Sequence, residues 1–122
     1  MGIFDFFKPN VIPALDKQKY ADSWAKIEQM LKAKHDSSLK QALMEADKLL
    51  ALALADKRIK GETMGERLKN AKNLFDKNLY EQIWQAHKLR NRMVHEDTEI
   101  LSFQIESNIY AFGRALKAIG AL

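Results

Sequence analysis

The strongest helical pattern in the chain is SSLKQALMEADKLLALALADKR, residues 37–58. Apolar residues recur in this stretch at intervals of three and four, which places them along one side of an α-helix. The positions concerned are Leu39, Ala42, Leu43, Ala46, Leu49, Leu50, Ala53 and Leu54. The pattern predicts an amphipathic helix with a buried face, and Asp36-Ser37-Ser38 supplies residue types that cap a helix N-terminus.

Four other stretches of the chain have the same periodicity. They predict helices over roughly residues 14–34, 63–76, 78–95 and 98–119. Turn-forming or polar residues separate the helices at Gly61, Asp76-Lys77-Asn78 and Glu96-Asp97-Thr98. No stretch alternates as a strand does, and short links favour antiparallel neighbours. We therefore predict an all-α fold, a five-helix up-down bundle.

The length of 122 residues fits a single domain, predicted to span residues 13–122. Residues 1–12, MGIFDFFKPNVI, differ from the rest because apolar and aromatic side chains are crowded into a short stretch with little charge. We expect an apolar N-terminal arm that packs on the bundle. The alternatives are a short membrane-interface anchor and an arm that docks on a partner.

Composition favours a cytoplasmic protein. The chain has no Cys, which excludes disulfides and thiolate metal sites and suits a reducing compartment. It has neither an apolar run of the ~20 residues that span a bilayer nor the basic start of a secretory signal. The net charge of +4 weakly favours an anionic partner such as nucleic acid, although a solvated surface accounts for most of the Lys and Arg residues.

The fourth predicted helix carries polar residues where its apolar stripe predicts core positions. The spacing that joins Ile83 and Trp84 continues to His87, Asn91 and His95, with Arg90 beside them. A buried Arg or His costs several kcal/mol unless it is paired or hydrated. Either this end of the helix enters solvent, or the stripe lines a cleft or interface where the charges have a function.

At this point the sequence resembles a known family. Residues 89–96, LRNRMVHE, look like the motif of HEPN domains, which are helical domains of nucleotide-binding proteins. That motif has an Arg, usually followed by Asn or another polar residue, and then a His after four to six intervening residues. Four residues separate Arg90 from His95, and the motif lies late in the chain, before a final helix, as it does in that family. The resemblance implies a HEPN-like fold over most of residues 14–119.

The resemblance also implies an activity. Many HEPN proteins are metal-independent endoribonucleases, in which the ribose 2′-hydroxyl attacks the adjacent phosphorus and a cyclic phosphate is left. They usually act as dimers, with two Arg-His motifs meeting at the interface. For this chain the resemblance implies catalytic Arg90 and His95, supporting Asn91, an RNA substrate, no cofactor and a homodimer. It further implies a toxin or defence role, with a cognate antitoxin or a nucleotidyltransferase as partner.

The residue types suit that chemistry. His can take or give a proton near neutral pH, and Arg presents a fork of donors that matches phosphate oxygens. Asn91 is placed to contact His95 one turn later, or the second His95 of a dimer, and two His95 side chains could divide the roles of base and acid. Lys88 and Arg92 form a small basic cluster with Arg90 that could guide a phosphate backbone.

The other candidate residues have simpler interpretations. His87 is expected to be a structural histidine satisfied inside the bundle, with contact to substrate as the alternative, and no metal-ligand motif is present. Helical spacing predicts core positions for Val94 and Leu101, and it predicts core rather than base-stacking roles for the aromatic residues. These are Trp24, Tyr80, Trp84, Tyr110 and Phe112. Two other functions stay open: a non-catalytic HEPN-like module for dimerisation or for binding nucleotide or RNA, and a helical adaptor with no nucleic-acid role.

Overall fold

The structure is a computed structural model that describes residues 14–95 and 100–122. The predicted N-terminal arm and the polar break Glu96-Asp97-Thr98 lie outside the described residues. Within those two ranges the chain forms five α-helices and one short 3₁₀ helix, with no strand. The predicted all-α class is confirmed.

The helices follow one another with short connections. Their bounds are Lys17–Ala33 (α1), Asp36–Asp56 (α2), Met64–Asn70 (α3), Lys77–His95 (α4) and Ser102–Ala118 (α5), with the 3₁₀ helix at Lys72–Leu74. The prediction that the third helix reaches residue 76 is wrong. The N–H of Ala71 bonds to the carbonyls of both Arg67 and Leu68, so the chain tightens into the 3₁₀ turn and then becomes extended at Phe75.

Helix α2 is the central element of the bundle. It packs against α1, α4 and α5, and α4 also packs against α5. All eight apolar positions predicted for its buried face are buried. A charged residue, Asp47, lies on the same face and is also buried. Since charged side chains are seldom buried without a partner, Asp47 marks a polar contact inside the bundle.

The start of α2 differs from the prediction. The N-cap residue is His35, and Asp36 is already the first helical residue. The Asp36 carboxylate does not cap the helix; it accepts a hydrogen bond from the Ser102 hydroxyl at 3.2 Å. A contact between α2 and α5 has therefore replaced the local cap that the sequence predicts.

Three apolar side chains that were expected in the core are exposed. Tyr110, Leu101 and Val94 have 51%, 55% and 45% of their surface accessible. On α4 the core-facing side runs through Ala86 and Leu89 to Met93 rather than to Val94. The stripe that begins at Trp84 and contains His87, Asn91 and His95 therefore turns away from the core toward the end of the helix.

Close contact between α1 and α5 depends on a glycine. A Cβ atom at Gly113 would lie 2.7 Å from Cζ2 of Trp24, which is closer than carbon atoms approach. The absence of a side chain at Gly113 lets the Trp24 ring lie directly on the backbone of α5. No helix among the described residues combines the length and the apolar character needed to cross a membrane.

Candidate functional site

A buried polar contact joins α2 to α4. The Nδ1 atom of His87 lies 2.7 Å from Oδ2 of Asp47, and the two side chains are only 11% and 7% exposed. Because a carboxylate only accepts hydrogen bonds, Nδ1 carries the proton and donates it to Asp47. The contact fixes both the tautomer and the ring orientation of His87, as a carboxylate does for the imidazole of a catalytic triad.

The contact continues as a chain of hydrogen bonds along α4. Arg90 donates from Nη1 to Oδ1 of Asn91 at 3.3 Å, and Nδ2 of Asn91 donates to Nε2 of His87 at 3.4 Å. The donors therefore point in one direction, from the Arg90 guanidinium through Asn91 and His87 to the Asp47 carboxylate. The chain holds four polar side chains in one arrangement beside the core.

These side chains line a cavity of about 550 Å³. Its walls come from α2, from α4, and from the segment that begins α3. The lining residues are Asp47, Thr63, Met64, Gly65, Trp84, His87, Lys88, Arg90 and Asn91. The edge of the Trp84 ring meets the His87 ring at a centroid distance of 6.0 Å, which closes one side of the pocket. His87 is thus buried and hydrogen-bonded, as a structural histidine is, and it also faces the cavity.

Arg90 is the cation at the cavity wall. Its Nε atom is buried and has no hydrogen-bond partner among the residues that the structure describes. An unsatisfied buried donor costs about 1–3 kcal/mol. A guanidinium at a cavity wall also presents a fork of donors whose geometry matches phosphate oxygens.

His95 is separated from this cluster. It is the last residue of α4 and is exposed. It lies eight residues after His87, which is about 12 Å along the helix axis. The structure brings Arg90, Asn91 and His87 to one cavity, and His95 is not among the residues that line it. The Asn91 amide contacts His87 and Arg90 instead of the His95 ring of the same helix.

The two remaining basic candidates lie on different surfaces. Lys88 is exposed and lines the Arg90 cavity. Arg92 is exposed and lines another cavity, of about 380 Å³, which includes Gln104 and Asn108 of α5. The predicted basic cluster is therefore reduced to Lys88 and Arg90 at the cavity itself. In the described ranges, no three His, Asp or Glu side chains are grouped so that they could hold a metal ion.

Asp47 is the residue of this site that the sequence interpretation missed. It lies 40 residues before His87, so no local spacing connects the two. One signal was present, because Asp47 occupies a position between Leu43 and Leu50 on the apolar face of α2. A carboxylate there predicts a buried partner, although it does not identify which residue that partner is.

The chain matches no family model, no curated protein and no solved structure.

Proposed function

We propose that this chain is a HEPN-like domain that acts as a metal-independent endoribonuclease, with Arg90 and His95 as its catalytic residues. The observation that carries the proposal is the placement of Arg90. Its guanidinium lies at the wall of a cavity, oriented by Asn91 and through it by the buried His87–Asp47 contact. A cation held at the wall of a pocket is suited to stabilise charge on a phosphate.

The proposed reaction needs only proton transfer and charge stabilisation. One His95 removes the proton of a ribose 2′-hydroxyl, and the 2′-oxygen forms a bond to the adjacent phosphorus. The bond from phosphorus to the 5′-oxygen breaks, and a protonated second His95 gives its proton to that oxygen. Arg90 stabilises the negative charge that builds up on the non-bridging oxygens. The products are a 2′,3′-cyclic phosphate and a 5′-hydroxyl.

A homodimer supplies the second His95 in this proposal. Three exposed apolar side chains lie near the end of α4 and the start of α5: Val94, Leu101 and Phe103, the last with 68% of its surface accessible. Their burial between two copies would bring both His95 residues to the interface. A toxin or defence role, with an antitoxin or nucleotidyltransferase partner, follows only from the HEPN resemblance.

The test is cleavage of a mixed RNA pool in the presence of EDTA. We expect the wild type to cut and to leave cyclic phosphate ends, and His95→Ala to cut about 10²–10⁴-fold more slowly, which is the usual contribution of a general acid or base. His35→Ala is the matched control, because His35 is also an exposed histidine at a helix terminus and lies outside the motif. Equal cleavage by the wild type and His95→Ala would refute the assignment.

A second function is favoured by the position of His95. Because His95 lies outside the cavity that contains Arg90 and Asn91, one protomer alone has a pocket suited to phosphate but lacks the general base of the proposed reaction beside it. A non-catalytic module that binds RNA or a nucleotide would need only that pocket. RNA binding that depends on Arg90, with no cleavage by the wild type, would support this second function over the first.

A further inference from the structure

A larger cavity adjoins the Arg90 site along α4. It has a volume of about 890 Å³ and lies between α4 and the segment that joins α3 to α4. Trp84 and Lys88 line both cavities. The larger cavity, called here the lysine groove, therefore leads along one helix to the wall that holds Arg90.

Three aromatic residues line the lysine groove. Phe75 is 9% exposed, and Tyr80 and Trp84 are half-buried. The rings of Tyr80 and Trp84 meet edge to face at a centroid distance of 6.3 Å, one helical turn apart. Tyr80 and Trp84 pack against the hydrophobic core, as expected, and both also line the groove. Partly exposed rings in a groove are surfaces on which planar groups stack.

The charge around these rings is strongly positive. Lys69 and Lys72 line one side, Lys77 and Lys88 line the other, and Glu81 is the only acidic residue of the lining. Lys77 and Lys88 are about 16 Å apart along the axis of α4. In the part of the chain that the structure describes, none of the four lysines forms an ion pair. Their charges are therefore available to an extended polyanion.

We propose that the lysine groove binds single-stranded RNA, with bases stacked on Tyr80 and Trp84 and phosphates beside the lysines. The combination favours a single-stranded nucleic acid, since every nucleotide carries both a phosphate and a planar base, whereas an acidic peptide has a planar ring only where it contains an aromatic residue. A duplex keeps its bases stacked inside and cannot present them to the groove. The choice of RNA over DNA, and the role of the bound strand as the substrate that reaches Arg90, rest on the proposed function.

The experiment measures binding of an uncleavable strand. The probe is a single-stranded RNA of about 12 nucleotides with 2′-O-methyl riboses, titrated by filter binding at several salt concentrations. Each lysine that contacts a phosphate contributes about 0.7 to the slope of log affinity against log salt. We expect the double variant Lys72→Gln/Lys77→Gln to lower the slope by about 1.4.

The controls separate stacking from charge. Tyr80→Leu should weaken binding about tenfold at constant salt slope, and Tyr80→Phe, which keeps the ring, should bind like the wild type. Lys26→Gln/Lys48→Gln is the matched charge control, because both lysines are exposed and line a separate groove on α1 and α2. Helix content by circular dichroism identifies any variant that fails to fold. Duplex RNA, single-stranded DNA and polyglutamate serve as competitors.

The outcomes distinguish this proposal from the nuclease proposal. If the groove variants lose binding while the wild type never cuts RNA, the groove is supported and the nuclease is not. If the wild type cuts and the groove variants bind and cut like the wild type, the groove is overturned and the nuclease stands. Equal loss in the Lys26/Lys48 control, or competition by polyglutamate as strong as that by RNA, would also overturn the groove. Single-stranded DNA that competes as well as RNA would contradict the commitment to RNA.

Discussion

His87 and His95 lie on the same helix, eight residues apart, and have opposite environments. The side chain of His87 is 11% exposed and is held by Asp47, whereas His95 is exposed at the end of α4. The same residue type thus has two environments along one stripe. A histidine fixed by a buried carboxylate contributes to stability and orientation, whereas a histidine at an exposed helix end is accessible from solvent, as the proposed role of His95 requires.

The largest effect on stability is expected for His87→Ala. The substitution leaves the Asp47 carboxylate buried without its partner, and breaking a buried pair in this way costs about 3–5 kcal/mol. Urea unfolding followed by circular dichroism measures the loss. In the double variant Asp47→Ala/His87→Ala the orphaned carboxylate is gone, so the cost should be smaller than the sum of the two single changes. A cost below about 1 kcal/mol for His87→Ala would remove the proposed difference between the two histidines.

A smaller loss of stability is expected for Tyr20→Phe, which removes a hydrogen bond between α1 and a second carboxylate of α2, away from the candidate site. The Tyr20 hydroxyl donates to Asp56, which also pairs with Lys19 at 3.3 Å. Because Asp56 is 40% exposed and therefore screened by solvent, we expect Tyr20→Phe to cost only about 1 kcal/mol in urea unfolding at neutral pH. RNA cleavage should be unchanged in Tyr20→Phe, because the Tyr20–Asp56 contact lies away from the cavity, whereas the His87–Asp47 contact lies beside it.

The pH dependence of the Tyr20–Asp56 contact has a definite sign. The hydrogen bond from Tyr20 holds the pKa of Asp56 below its ordinary value, so its contribution is present above pH ~4 and is lost as the pH falls through the folded-state pKa. Burial, together with the bond to Asp56, raises the pKa of Tyr20, so that contribution is full below pH ~10 and declines above it. The stability difference between the wild type and Tyr20→Phe should therefore shrink below pH ~4. A difference that grows on acidification would contradict this assignment.

The smallest change in stability is expected for His95→Ala. An exposed residue at a helix end usually alters the free energy of unfolding by no more than about 0.5 kcal/mol. The same urea titration, with His35→Ala as the matched control, measures it. Unfolding of His95→Ala would make His95 structural, and a loss of cleavage by that variant would then say nothing about catalysis.

Much of the fold could be predicted from the chain alone. The eight buried positions of α2 followed from their spacing, because the predominantly apolar face of a helix is buried against its neighbours in a bundle. The errors arose where tertiary contacts override local patterns. Asp36 accepts a hydrogen bond from Ser102 instead of capping α2. At the end of α4, Met93 packs against the core and Val94 is exposed. The spacing of residues within one helix predicts neither result.

The candidate site could be predicted only in part. The motif on α4 pointed to Arg90, Asn91 and His95, and the structure places Arg90 and Asn91 at the cavity but not His95. The bond between His87 and Asp47 depends on how α2 and α4 are packed together, which spacing within either helix does not determine. The lysine groove was missed because Tyr80 and Trp84 fit a core pattern. A ring at the edge of a core has the same helical spacing as one in its centre, so periodicity cannot distinguish them.

Because Trp84 lines both cavities, its fluorescence can report the binding of a ligand in either of them. Of the two tryptophans in the chain, Trp24 lies on the backbone at Gly113 and Trp84 lines both the lysine groove and the Arg90 cavity. Indole emission is quenched by a stacked base and shifts in wavelength as water leaves its surroundings. With Trp24 replaced by Phe, the emission spectrum would come from Trp84 alone, and occupancy of either cavity could be followed without a label.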